Sequence, residues 1–97
     1  MKKVYELENC VAMNRKHPQT FHIPSGKEIK ALKVGDYVKL IFVPTDEDLL
    51  TERMWVRITE KTIHGSFVGV LDNDPVSVPI ECGDRVEFSF VHIASIF

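Results

Sequence analysis

Three side chains on one predicted strand have the types and the spacing of a ligand-binding face. Arg53, Trp55 and Arg57 alternate along the segment Glu52–Thr59, so in a β-strand they point to the same side. An indole ring stacks on a base or another ring, while guanidinium groups hold phosphate or carboxylate. The pattern therefore indicates a site for single-stranded nucleic acid or a nucleotide.

The same three residues also have a structural interpretation, and we favour it. In a chain of this size a lone tryptophan belongs more often to the core than to a site, so Trp55 is expected to pack under an N-terminal helix. Arg53 and Arg57 would then lie at the edge of the sheet and pair with acidic residues, namely Asp46, Glu47 or Glu60. The solvent exposure of Trp55 separates the two interpretations.

A second candidate site is the acidic turn Asp72, Asn73 and Asp74, which precedes Pro75. Closely spaced side-chain oxygens can bind a hard cation or serve as general acid and base. A calcium loop needs more ligands than this turn supplies, and Asx residues before proline commonly bond the local backbone. The structural interpretation is favoured, and the turn stays a candidate ligand-binding or catalytic loop.

No other group of side chains has the spacing of a metal site or a catalytic centre. The four histidines are scattered, and Cys10 and Cys82 lack the close pairing of zinc ligands. Cys82 has the acidic neighbours Glu81 and Asp84 and no histidine near it in sequence, which argues against a nucleophile. Glycine-rich phosphate loops and hydrolase elbows are also missing from the sequence. We therefore expect no catalytic residue, no metal and no cofactor.

The bulk properties of the chain describe one ordinary globular domain spanning residues 1–97. Its 97 residues suffice for a single core, and its net charge of -2 gives no general argument for nucleic-acid binding. The first eight residues carry two lysines followed by acidic residues instead of the apolar run of a signal peptide. Two isolated cysteines suit a reducing compartment, so we expect a cytoplasmic protein with no membrane segment.

The first half of the chain predicts two helical segments and one strand. Apolar spacing predicts a helix over Tyr5–Lys16, closed by Pro18, which disfavours helical geometry in the preceding residue. The spacing of Ser25 and Glu28 is that of a capping box, which predicts one more helical turn. After a Gly-Asp turn, alternation of apolar residues predicts a strand over Tyr37–Val43.

The second half predicts four further strands. Glu52–Thr59 and Ser66–Leu71 are expected to form an antiparallel hairpin. Val76, Val78 and Ile80 suggest a short edge strand, and Arg85–Val91 is the last strong strand. The predicted fold class is α+β, with an N-terminal helix packed on a strongly curved antiparallel sheet of about five strands, SH3-like or another small barrel. The predicted core is Val38, Leu40, Phe42, Met54, Val56, Ile58, Phe67, Val86, Phe88 and Phe90.

Three segments of the second half carry a resemblance to a known family. Glu52–Val56 places an acidic residue before Met-Trp-Val, Gly69–Pro75 reads Gly-x-Leu-x-Asn-x-Pro, and Ile80–Phe88 contains an apolar residue, a Gly-Asp turn and a strand. In this order they resemble the DUF2314 family of uncharacterised bacterial proteins. Members often close with an isoleucine followed by Asp-Trp, whereas Ile93 here is followed by Ala-Ser-Ile-Phe. The resemblance implies a small bacterial intracellular domain and brings no established activity.

These observations favour a non-catalytic module that binds a protein partner through a small, edge-rich sheet. Binding of single-stranded nucleic acid or a nucleotide through Arg53, Trp55 and Arg57 is the alternative. A small enzyme using Asp72–Asp74 is a weaker one. The apolar C-terminus, residues 93–97, suggests either a homodimer contact or packing back onto the helix.

Overall fold

The computed structural model describes residues 3–97, so the first two residues of the N-terminal segment considered above lie outside it. Two short helices and six strands form one α+β unit. In chain order the elements are β1 (Tyr5–Leu7), α1 (Cys10–Lys16), α2 (Gly26–Lys30), β2 (Tyr37–Pro44), β3 (Glu52–Lys61), β4 (Ser66–Leu71), β5 (Arg85–Ser89), a 3₁₀ turn (Phe90–His92) and β6 (Ile93–Ile96).

The six strands form one antiparallel sheet that curves into a nearly closed barrel, which confirms the predicted fold class. Strands β1 to β5 follow one another in the order β1-β2-β3-β4-β5. The last strand, β6, returns to pair with the first half of β2, while β1 pairs with its second half. As a result β2 is paired on both edges, with β3 on one side and with β1 and β6 on the other.

The interior of the barrel follows from strict alternation of apolar side chains. On β2, Val38, Leu40 and Phe42 are fully buried, and Val56 and Ile58 of β3 join them. Nine of the ten predicted core residues are buried. The prediction for Phe90 is wrong, because β5 ends at Ser89 and the chain enters a 3₁₀ turn that breaks the alternation. The Phe90 side chain is 47% exposed.

The N-terminal segment departs from the predicted helix Tyr5–Lys16. Tyr5–Leu7 is strand β1, and the helix begins only at Cys10, where the Asn9 side chain accepts a hydrogen bond from the Ala12 N–H. Tyr5 and Leu7 pack against the core, while Glu6 between them is exposed. This alternation over three residues, joined to pairing with β2, outweighs the helical spacing.

Two further strand predictions change in the structure. Val76, Val78 and Ile80 form no strand, because the Glu52 carboxylate accepts the N–H groups of residues 76–78 that a neighbouring strand would need. The C-terminal residues form a strand that the sequence did not predict, β6, which pairs with β2. Ala94 of β6 also packs with Cys10 of α1 and with Ile41. The C-terminal strand therefore contacts the helix, which was one of the two arrangements expected for residues 93–97.

Gly69 of β4 has the least room for a side chain among the five glycines, which generates a testable prediction. A Cβ atom on Gly69 would lie 2.5 Å from Val56 Cγ1 and 2.6 Å from the Arg57 carbonyl oxygen, whereas one on Gly26 would meet nothing within 4 Å. Gly69→Ala should therefore lower the free energy of unfolding by about 1–3 kcal/mol, the usual cost of overpacking. Gly26→Ala, at an open position in α2, should be neutral or stabilise by up to about 1 kcal/mol. Urea denaturation of both variants measures the contrast, and equal stabilities would contradict the packing.

Candidate binding site

The three side chains of the predicted binding face do lie on the outer side of β3. Arg53 and Arg57 are exposed, Trp55 is half-buried, and Met54, Val56 and Ile58 point into the core. The indole contacts Phe97 and Lys39, whereas α1 covers a different part of the outer face through Cys10. Trp55 is therefore accessible from one side of the barrel.

The indole belongs to a cluster of three aromatic rings, which we call the aromatic platform: Tyr37, Trp55 and Phe97. The Trp55 and Phe97 centroids are 5.6 Å apart with the rings at 81°, and the Tyr37 and Phe97 centroids are 6.3 Å apart at 63°. Edge-to-face geometry of this kind is favourable for aromatic pairs. The Lys39 ammonium lies 4.7 Å from the indole centroid and adds a cation–π contact.

Register within the sheet brings the platform together. Lys39 on β2 is directly opposite Trp55 on β3, and Tyr37 is opposite Arg57, so all four side chains share the outer face. On the other edge of β2, the Phe97 N–H donates to the Tyr37 carbonyl at 3.1 Å and places the last ring beside the first two. Phe97 is 89% exposed, so its ring offers most of its surface to a partner.

The acidic turn after β4 adjoins the platform, so Trp55 and Asp72, one from each site proposed from the sequence, lie together. The Asp72 N–H donates to the Trp55 carbonyl at 2.9 Å, and the Asn73 side-chain oxygen accepts from the Trp55 N–H. Asn73 therefore fixes the backbone under the indole. Asp72, with the three aromatic residues, lines a shallow groove of about 250 Å³. Asp74 is exposed and lies outside that groove.

The two arginines have different surroundings. The Arg53 guanidinium lies 5.7 Å from the Phe21 ring centroid, where it stacks on the connector between the helices. Arg57 is exposed beside Tyr37. Between residues 3 and 97 the one ion pair is Arg85 with Glu87, so neither arginine has the acidic partner that the structural interpretation supplied. Arg57 is the arginine available next to the platform.

Two titratable side chains away from the platform, Cys10 and His92, have pKa values shifted by burial. Burial and the neighbouring Glu8 raise the pKa of the Cys10 thiol to about 11, so that thiol stays protonated at neutral pH. Burial and Lys3 lower the pKa of His92, whose Nδ1 accepts the Ser89 N–H and closes the 3₁₀ turn. Within the described range no three His, Cys, Asp or Glu side chains lie close enough to hold a metal ion.

Glu52 holds the long loop that carries the acidic turn. Its carboxylate accepts three backbone hydrogen bonds, from Val76 at 2.8 Å, Ser77 at 2.8 Å and Val78 at 2.7 Å. Desolvation on its own would raise the pKa of Glu52, but the three N–H donors outweigh it and lower that pKa from its usual 4.5. Asn73 and Glu52 together fasten the loop to the strand that carries Trp55.

Sequence reasoning missed four residues that form or support the site. Tyr37 and Lys39 stood on the outward face of a correctly predicted strand, and pairing of that strand with the Trp55 strand would have indicated them. Phe97 carried no such signal, since it joins the rings only after β6 pairs with β2 across about 55 residues of chain. Glu52 was noted only as part of a motif.

No family model matches the chain, and no curated protein or solved structure matches it either. None of the helices in residues 3–97 has both the length and the apolar character needed to cross a membrane.

The Glu52 anchor predicts a pH-dependent loss of stability. Because folding lowers the pKa of this carboxyl, its stabilisation is complete above the unfolded value of about 4.5 and declines as the pH falls below it. Glu52→Gln should lower the free energy of unfolding by about 1–2 kcal/mol at pH 7, allowing for the partial exposure of the site. The difference from the wild type should shrink below pH 4.5, which denaturant unfolding at pH 3 to 8 measures.

The exposed Glu47 supplies the matched control. Glu47→Gln should change the free energy of unfolding by less than about 0.5 kcal/mol at any pH. A Glu52→Gln variant as stable as this control at pH 7, or one whose deficit grows in acid, would contradict the anchoring role.

Proposed function

We propose that the chain is a non-catalytic binding module that takes a segment of a partner protein on the aromatic platform. The observation that supports this proposal is the half-exposed indole of Trp55, held between the Phe97 ring and the Lys39 ammonium on the open face of the barrel. Tyrosine and tryptophan are enriched at protein interfaces because they bury much area at little cost in side-chain entropy. A preformed cluster of rings is therefore suited to partner binding.

The charges around the platform favour one kind of partner segment. Among residues 3–97, Asp72 is the one acidic residue lining the groove, next to three rings. A segment that places a proline or an apolar side chain on the rings and a lysine or arginine near Asp72 would satisfy both features. Lys39 lies over the indole and Arg57 lies beside Tyr37, but Asp72 is the charged residue that lines the groove itself, so we assign partner selection to its carboxylate.

Partner binding through a free strand edge is the other route that a small sheet offers, and it has less support. The sheet order ends at β1 and β5, whose outer edges border a groove lined with the charged side chains of Lys3, Glu6, Arg85 and Glu87. Charged side chains at sheet edges are the usual protection against added strands. We therefore assign partner binding to the platform.

Single-stranded nucleic acid or a nucleotide is the second candidate ligand. The exposed Arg57 and the cation over Trp55 favour it, because bases stack on indole while basic groups hold phosphate. The Asp72 carboxylate in the groove, the contact of Arg53 with Phe21 and the net charge of -2 oppose it. We rank it below a protein segment. Catalysis by Asp72–Asp74 ranks lower still, since the Asn73 side chain is bonded to the backbone.

The proposal extends to origin and location. Membership of the DUF2314 family, and with it a bacterial source, is supported by the motifs at Glu52–Val56, Gly69–Pro75 and Ile80–Phe88. Cys10 and Cys82 are free thiols in the structure, which supports a reducing compartment such as the cytoplasm. The exposed Phe97 ring would also permit a homodimer through the platform, as an alternative partner.

Three variants test whether the platform binds a partner: one removes the indole, and two change neighbouring acidic residues of the same turn. Immobilised wild-type protein and the variants Trp55→Ala, Asp72→Asn and Asp74→Asn are incubated with the same bacterial lysate, and the retained proteins are quantified by mass spectrometry. A protein that binds the platform should no longer be retained by Trp55→Ala, which removes an aromatic hot spot. Its retained amount should fall about three- to tenfold with Asp72→Asn, which removes a charge from the interface. Asp74 is also exposed but lies outside the groove, so Asp74→Asn should retain the partner fully.

The same protein variants also distinguish partner binding from nucleic-acid binding. Proteins retained equally by all four samples would overturn the proposal. A change in Trp55 fluorescence on adding oligothymidylate at low salt, weakened by Arg57→Gln and strengthened by Asp72→Asn, would instead support nucleic-acid binding.

A further inference from the structure

A second concave surface, separate from the platform, lies between the helices and the barrel. It is a groove of about 590 Å³, which we call the helix-side groove. Its floor is made by the buried Phe67 and Ile93, and its walls include the half-buried Ile23 and Ile29 of the connector and α2. The volume is in the range of pockets that hold small molecules.

The mouth of the helix-side groove is unusually apolar for a solvent-facing surface. Ile63 in the turn between β3 and β4 is 95% exposed, and the partly exposed Phe90 lies at the same mouth. Neither side chain is needed to fill the core. Large apolar side chains gathered around a concave site, in place of single scattered ones, mark ligand-binding grooves.

The charged residues that line the groove are both lysines, Lys30 and Lys61. The Lys61 ammonium donates to the carbonyl oxygens of Lys30 at 2.9 Å and Leu32 at 2.6 Å, at the end of α2. An ammonium group has three N–H donors, so one remains for a ligand. Lys30 is exposed and contributes a second cation. No acidic side chain in the described part of the chain lines the groove, so its charge suits an anion.

We propose that the helix-side groove binds a small amphiphile with an apolar body and a single carboxylate, of the fatty-acid class, as a monomer. The apolar chain lies along Phe67, Ile93 and Ile29, covered at the mouth by Ile63 and Phe90. The carboxylate lies at Lys30 and Lys61, where it receives charge-assisted hydrogen bonds. This ligand combines an extended apolar surface with one anionic group, which is the combination that the groove presents. The site is independent of the aromatic platform.

The test uses dodecanoate, below the concentration at which it forms micelles, with dodecanol as its neutral counterpart. Isothermal titration calorimetry should show saturable binding of dodecanoate to the wild-type chain, about three- to tenfold tighter than dodecanol. Lys30→Gln should remove most of that preference while leaving dodecanol unchanged. Lys27→Gln, on the same helix but outside the groove, is the matched control and should behave as the wild type.

A second substitution tests the apolar part of the site without disturbing the fold. Ile63→Ser, at a 95% exposed turn position, should weaken dodecanoate and dodecanol alike, by about threefold or more. The chain has one tryptophan, Trp55, which lies on the platform, so its fluorescence should stay unchanged during the titration.

Several results would overturn the proposal. These are the absence of saturable binding, equal affinity for acid and alcohol in the wild type, and unchanged affinity in Ile63→Ser. Binding to phosphatidylcholine vesicles without binding of monomeric dodecanoate would likewise contradict it and assign the apolar mouth to a membrane surface. A change in Trp55 fluorescence with dodecanoate would place the ligand on the platform and not in the groove.

Discussion

The pairing of β2 on both edges is the constraint on which the rest of the structure depends. Its first half is held between β3 and β6, and its second half between β3 and β1. With neighbours on both sides, the strand has no freedom to slip by one residue, since that would turn Val38, Leu40 and Phe42 to the outside. All three are completely buried, so this register accounts for the centre of the core.

The same alternation that builds the core also builds the site on the opposite face. Residues between the core positions point outward, and they differ in what packs against them. Ile41 is covered by Cys10 of α1, by Ala94 and by the connector between the helices. Tyr37 and Lys39 are left uncovered and meet Trp55 from the neighbouring strand. The helix therefore closes one half of the outer face, and the other half is the aromatic platform. The hydrogen bonds of Asp72 and Asn73 with the Trp55 backbone then hold that half in place.

Local patterns predicted most of the fold, while contacts between distant segments produced the differences. Strands β2 to β5, the capping box at Ser25 and the burial of nine core residues follow from periodicity and turn chemistry that each segment carries by itself. Tyr5–Leu7 is too short for its period to be decided locally, and it became a strand because β2 offered an edge. Residues 76–78 look strand-like until Glu52 takes their N–H groups. For the site, the outward direction of Arg53, Trp55 and Arg57 was predictable. The meeting of Trp55 with Phe97 and with the Asp72–Asp74 turn was not, because it depends on the arrangement of four strands.

Acrylamide quenching of Trp55 fluorescence tests the central claim most directly, because the indole is the only one in the chain. The structure predicts a quenching constant between that of free tryptophan and that of a buried indole. It also predicts a larger quenching constant for the Phe97→Ala variant, which lacks the ring that packs against the indole. A fully protected indole in the wild type, or one whose accessibility does not respond to the loss of the Phe97 ring, would contradict the platform and the binding function assigned to it.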